Sequence, residues 1–237
     1  MTYFPKDYHA SRAGFKRMIT DLPGPKEVGE WRVPSRTDDD LFVDWTYLPA
    51  TLSPERLIVL SSGVHGLETY AGSAIQTMFL KELWPSINRS QTGFLIVHAL
   101  NPWGFKHHRR STENHVNLNR NCSAGTEMYR LKNPRGAELT KRFVPEEPLR
   151  PGPSRLARAF RWREGKPFFD DIPMDELIRA ICLGQFEDPK GLEFGGFEAE
   201  PQIQFLTLKL KSVMPYYRDV LLLDLHNELC GRGKLHV

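Results

Sequence analysis

Short aliphatic runs bounded by glycine and polar residues alternate along this chain with stretches whose apolar residues recur at helical spacing. Tyr8 to Leu22 puts Phe15, Met18, Ile19 and Leu22 on one side of a helix that Pro23 and Pro25 end. Gly29 to Pro49 predicts a hairpin, with Trp31-Arg32-Val33 and Leu41 to Leu48 as β-prone arms around the polar turn Ser35 to Asp40. Arg56 to Ser62 reads as a strand buried on both faces, and Gly93 to Leu100 as a second. Between them, Tyr70 to Leu83 reads as a helix with Ile75, Met78, Phe79 and Leu83 on one side. Strand, helix and strand in so short a span is the pattern of a crossover, and hence of an α/β fold with a largely parallel sheet.

From Leu131 to Glu200 the periodicity fades into Pro-, Arg- and Gly-rich sequence with two expected helices, Ser154 to Glu164 and Met174 to Leu183. This segment is expected to be a surface insertion within one domain spanning residues 1–237. The core resumes with a helix around Gln202 to Tyr217 and a third aliphatic strand, Asp219 to Leu225, which delivers His226 at its C-terminal end. No repeat period interrupts this order.

Composition narrows the function. Lys and Arg total 32 against 29 Asp and Glu in 237 residues, a net +3, which provides no basic stripe for nucleic acid. The run Arg155 to Arg163 with Phe160 and Trp162 reads as an amphipathic surface helix. Three widely spaced cysteines, Cys122, Cys182 and Cys230, suggest neither a disulfide framework nor a thiolate metal site, so a reducing compartment is expected. The N-terminus has no apolar core of a signal peptide, and runs such as LIVL and VLLL are too short to span a bilayer. A cytoplasmic protein without a membrane or nucleic-acid partner is the expectation.

Open α/β sheets place their sites at the carboxyl ends of strands. After the first strand, Gly63-Val64-His65-Gly66-Leu67-Glu68 can aim an imidazole and a carboxylate at one cation, although alone this pattern is equally that of a solvated loop. After the second come Asn101-Pro102-Trp103-Gly104-Phe105, Arg109-Arg110, and the run Glu113 to Asn121. The planar guanidinium of Arg binds oxygen pairs, so such a cluster suits a carboxylate and a polarised carbonyl. After the third comes His226, the expected long-range ligand that completes a two-His, one-carboxylate zinc site with an open position for water. His98, His107, His108 and His115 are expected to be strand and loop histidines, and Cys122 an inert thiol.

The stretches GVHGLETYAGSAIQ at 63–76, NPWGF at 101–105, RRSTENHVNLNRN at 109–121 and LLLDLH at 221–226 together resemble the zinc carboxypeptidase superfamily. Within it they resemble the DUF2817 branch, itself similar to the aspartoacylase and succinylglutamate desuccinylase group. The resemblance implies a three-layer α/β/α fold around a mixed, largely parallel sheet. It also implies one Zn2+ per chain held by His65, Glu68 and His226, with Arg110 rather than Arg109 stabilising the oxyanion and Asn119 and Arg120 gripping the substrate carboxylate. The implied reaction is hydrolysis of an amide beside a free carboxylate in a small peptide or N-acyl amino acid, by water acidified on the metal.

Two positions depart from the family pattern. Asn117 stands where the family has an Asp that orients the first zinc histidine, a loss expected to weaken metal binding on the order of 10–100-fold. The family's general-base Glu follows the third ligand by a longer stretch, whereas after His226 the only Glu here is Glu228. The expectation is a C-terminally truncated or degenerate homologue, with three function classes left open: a carboxypeptidase-type hydrolase, a non-catalytic protein binding a carboxylate ligand, and an N-acyl amino acid deacylase.

Overall fold

The computed structural model describes residues 3–122, 125–143 and 173–227. The expected helix Ser154 to Glu164, the run Arg155 to Arg163, Glu228 and Cys230 lie outside them. The chain divides into two compact units, Met1–Cys122 with Ala199–Val237, and Ser123–Glu198.

The first unit is built on a five-stranded sheet. Strands β1 (Glu27–Arg32), β2 (Phe42–Leu48), β3 (Arg56–Ser62), β4 (Thr92–His98) and β5 (Asp219–Leu225) lie in the order β1-β2-β4-β3-β5. The predicted hairpin pairs antiparallel from Glu27↔Tyr47 to Arg32↔Phe42. β2 also runs antiparallel to β4, while β4, β3 and β5 are mutually parallel, so the sheet is mixed and its parallel part carries the strand ends of interest.

Period-2 alternation divides the side chains between two faces. Leu48, Leu60, Phe94 and Ile96 meet Phe15 and Ile19 of helix α1 (Tyr8–Asp21) and Leu22 just after it, together with Leu80 and Trp84. Leu57, Val59, Leu95 and Val97 pack on the other face with Ile203, Leu206 and Val213 of a helix at Pro201–Val213 and with Phe105. Helices on both faces of the sheet make the three layers. Asp7 caps α1, accepting the Ala10 backbone N–H at 2.8 Å.

Helix α2 (Thr69–Met78), prolonged by a π-type turn over Phe79–Leu83, forms where the sequence places it but shows the opposite side to the core. Of the four apolar residues Ile75, Met78 and Leu83 are exposed and Phe79 alone packs against the core, while the inward side carries Gly72, Ser73, Ala74 and Gln76. Close approach explains the inversion: a Cβ on Gly72 would lie 2.9 Å from both Ser62 Cβ and Leu225 O, so only small residues fit there. A second difference concerns β5. It occupies the sheet edge, and Val220, Leu221 and Leu222 keep 39–47% of their surface exposed despite an aliphatic sequence like that of buried β4.

The remaining helix of the first unit's strand-end region is α3 (Pro102–Lys106), capped by Asn101, whose side chain accepts the Gly104 N–H at 2.8 Å. The second unit contains α4 (Pro134–Phe143) and α5 (Met174–Cys182). Asn133 joins them by donating to Ala180 O and Gly184 O at 2.8 and 2.7 Å. In chain order the Pro201–Val213 helix is then α6.

Candidate metal centre

The turn after β3 is held in place by backbone contacts. Gly63 takes φ +75, which reverses the chain out of the strand. Gly66 and Leu67 donate N–H bonds to Arg110 O and Arg109 O at 3.3 and 3.1 Å. A Cβ on Gly66 would sit 2.0 Å from the Gly104 carbonyl carbon, so the turn touches α3 only because position 66 is glycine. This contact fixes His65 and Glu68, the latter at the N-terminus of α2, against the Arg109-Arg110 segment.

His65 is buried, and both of its ring nitrogens are engaged. Nε2 lies 3.0 Å from Asn117 Oδ1, and Nδ1 lies 3.1 Å from Glu68 Oε1 and 3.2 Å from Arg110 Nη1. The tautomer follows from Asn117. Its Oδ1 already accepts the Asn119 backbone N–H at 2.9 Å, so it is an acceptor and His65 Nε2 is the donor. Nδ1 is in hydrogen-bond and ion-pair contact with Glu68 Oε1, to which the Arg110 guanidinium also donates at 3.1 Å. Burial pushes the Glu68 carboxyl up, but His65, the Asn227 N–H and Arg110 outweigh it, so Glu68 ionises below its ordinary range.

The end of β5 brings a second histidine to the same place. The His226 ring packs edge-on against His65, with centroids 5.5 Å apart and planes at 89°. The Asn227 backbone N–H donates to Glu68 Oε2 at 2.7 Å, which ties the end of β5 to the turn after β3. His226 Nδ1 lies 2.8 Å from Asp224 Oδ2, and Asp224 Oδ1 accepts from Ser61 Oγ at 3.0 Å.

The structure therefore gathers His65, Glu68, Arg110, Asn117 and His226. Asn119 and Arg120 lie on the short 3₁₀ turn that Asn117 caps, with Arg120 Nη1 on Asn119 O at 2.9 Å; Asn119 is exposed and Arg120 half-buried. Arg109 contributes its backbone to the turn and has an exposed side chain. Sequence reasoning missed Asp224, Ser61 and Asn227. The first had a signal, since residues two apart on a strand share a face and Asp224 precedes His226 by two.

Two imidazoles and a carboxylate are the donor set of a four-coordinate zinc site with one open position, so the residues fit the ion in kind. Among the described residues no three His, Cys, Asp or Glu side chains already stand as a metal-holding group. Two features account for this: Arg110 bridges the first two donors, and His226 turns Nδ1 to Asp224.

The other histidines are accounted for differently. His98, at the end of β4, is buried in a polar network. Gln76 Nε2 donates to Leu60 O and Val97 O at 3.2 and 2.9 Å, so its Oε1 accepts from His98 Nδ1 at 3.0 Å. The bare Nε2 accepts from Ser11 Oγ at 3.1 Å. His107 pairs with Asp38 at 2.9 Å and His108 with Tyr70 at 3.0 Å. Cys122 is exposed, and its thiol donates to Leu118 O at 3.4 Å. No helix among the described residues is long and apolar enough to cross a membrane.

A solved carboxypeptidase candidate from Burkholderia mallei is 13% identical over 53% of this chain and 34% of its own, with a TM-score of 0.40. A metallo-carboxypeptidase from Burkholderia cenocepacia is 17% identical over 53% and 35%, with a TM-score of 0.37. A metallopeptidase candidate from Shewanella denitrificans is 19% identical over 85% and 78%, with a TM-score of 0.38. The chain thus spans about a third of the length of the two Burkholderia proteins. No curated protein matches it. A family model described as a protein of unknown function, DUF2817, matches residues 4–237, and the chain belongs to that family.

Proposed function

We propose that this chain is a zinc-dependent hydrolase of the carboxypeptidase type, cleaving an amide bond beside a free carboxylate in a small peptide or N-acyl amino acid. The observation that carries this reading is the convergence of three strand ends. His65, with one nitrogen held by Asn117, aims the other at Glu68, and the His226 ring packs edge-on against it. His65, Glu68 and His226 are the residues that would hold the ion. The chemistry zinc supplies in such a site is polarisation of a carbonyl and acidification of water to a pKa of about 7.

The chain's own residues do the rest. Asn117 accepts from His65 Nε2 and so holds the ring with Nδ1 turned toward Glu68. The Asn227 N–H holds Glu68 ionised and oriented. Arg110 brings a half-exposed guanidinium to steady a developing oxyanion, and Arg120, one turn from Asn117, offers a fork for the substrate carboxylate.

A second reading, a protein that binds a carboxylate ligand without turnover, is favoured by the neutral amide at Asn117, a weaker partner for His65 than a carboxylate. Elemental analysis together with a panel of dipeptides and N-acyl amino acids separates the two. About one zinc per chain and hydrolysis abolished by a chelator support the hydrolase. Ligand binding without turnover supports the second reading, chelator-sensitive hydrolysis removes it, and no zinc dependent on His65 defeats the first.

A further inference from the structure

An edge strand is normally shielded by a lysine, a proline, a bulge or a covering element, because its outer row of backbone groups can pair with any other strand. β5 has none of the first three. Its register with β3 is unbroken from Arg56↔Asp219 to Ser62↔Leu225, and Val220 to Leu223 are all aliphatic. Among the described residues no strand pairs with its outer edge. Apolar surface is left on both faces there. The register sets the exposed Val220 and Leu222 level with Leu57 and Val59 on the α6 side, and the exposed Leu221 level with Ile58 on the other. Helix α2 extends that second face. Around its axis Gln76 reaches Val97 O of β4, Gly72 lies on Ser62 and Leu225, and Ile75 follows on the flank toward β5, exposed.

The sequence of β5 complements itself in one register. With Leu221 opposite Leu221 of an antiparallel second copy, Val220 meets Leu222 and Leu222 meets Val220, so the three exposed aliphatic residues cover one another. The same register sets Arg218, largely exposed, opposite the second copy's Asp224, and does so twice. A slip of one residue sets Asp219 against Asp224, and slips of two set Asp224 against Val220 or Asp219 against Leu221. We infer that this edge is the interface of a two-fold homodimer, in which β5 pairs antiparallel with β5 of a second copy and two five-stranded sheets join into one. A standard interface takes about 800 Å² from each partner, more than a strand edge supplies alone, and the α2 flank carrying Ile75 adds apolar surface beside it. The pairing is independent of the metal-site reading.

Sedimentation of the full chain over a range of concentrations is expected to show a monomer–dimer equilibrium. Leu221→Arg should weaken it about a hundredfold, since it opposes two like charges at the symmetry axis and removes two buried leucines. Arg218→Glu should weaken it about tenfold, and Arg218→Lys less. Cysteine trapping reads the register, in a chain with Cys122, Cys182 and Cys230 replaced by serine. Leu221→Cys stands opposite itself at a Cα separation of about 4.5–5.5 Å, within reach of a disulfide, and is expected to cross-link on mild oxidation. Val220→Cys is expected to cross-link only when mixed with Leu222→Cys. A dimer that Leu221→Arg dissociates and Leu221→Cys traps supports the inference. A chain monomeric at every concentration leaves the edge to a strand of another protein and overturns it. So does a dimer indifferent to Leu221→Arg, or one trapped by Val220→Cys alone and not by Leu221→Cys.

Discussion

Two buried histidines, one at the end of β4 and one just beyond β3, meet water to the same small extent and do different things. His98 gives Nδ1 to Gln76 and receives Ser11 at Nε2, and both partners are neutral groups with their remaining bonds satisfied inside the fold. His65 gives Nε2 to the amide of Asn117 in the same way, but its other nitrogen faces a carboxylate and a guanidinium. The lesson is that burial does not mark a site histidine. What marks it is a nitrogen left facing charge after the fold's own hydrogen bonds have been counted.

The comparison can be broken most sharply by metal. His65→Ala is expected to lose zinc by more than a hundredfold, the scale for deleting a direct ligand when removing an outer partner already costs 10–100-fold, whereas His98→Ala leaves zinc affinity unchanged. Equilibrium dialysis of both variants checks this, and equal losses would erase the distinction.

Stability reverses the ranking. His98→Ala takes one partner each from Gln76 and Ser11, which keep Ser62 and Ser73, and opens a cavity beside Phe15, on which the ring stacks at 4.9 Å, so a loss of about 3 kcal/mol is expected. For His65→Ala about 1 kcal/mol is expected in the metal-free protein. Urea unfolding measures both, and a His65 variant that is the less stable of the two would contradict the contrast.

Acid sharpens the same difference. Burial, and secondarily Arg12, push the His98 imidazole down to about 3 from its ordinary value of 6.5. The unfolded chain therefore binds the proton first, and stability present above pH 6.5 is lost as pH falls from there toward 3. The urea midpoint of wild type should fall more between pH 7 and pH 4.5 than that of His98→Gln. Parallel pH profiles would show that His98 is not the group responsible.

The smallest expected effect lies in the partner of His65. Asn117→Asp replaces a neutral acceptor by a charged one and should tighten zinc about tenfold, the low end of such outer-partner effects. The equivalent change at Gln76, to Glu, should leave zinc affinity as it was and destabilise the fold by burying a charge.

The sheet and the location of the site were legible because aliphatic runs mark strands and α/β chemistry gathers at strand ends. His65, Glu68 and His226 could be singled out on that ground, and the structure brings their side chains to one place. The inner face of α2 could not be read. Periodicity assigns apolar residues to the core, yet the space above Ser62 admits only small ones, and Gln76 turns inward to serve two strand carbonyls. Nor could the bridge from Arg110 to His65 and Glu68, or the pairing of Asp224 with His226, be seen. Each depends on distances between side chains that the linear pattern does not encode. The exposure of β5 was hidden for a related reason: Val220, Leu221 and Leu222 have the composition of a central strand and occupy an edge.

Anomalous diffraction at the zinc edge from crystals of zinc-loaded protein is the most direct trial of the account. The expected result is one peak per chain, bonded to His65 through Nδ1, to the Glu68 carboxylate and to His226. A peak elsewhere, or none beside His65 at saturating zinc, would contradict it.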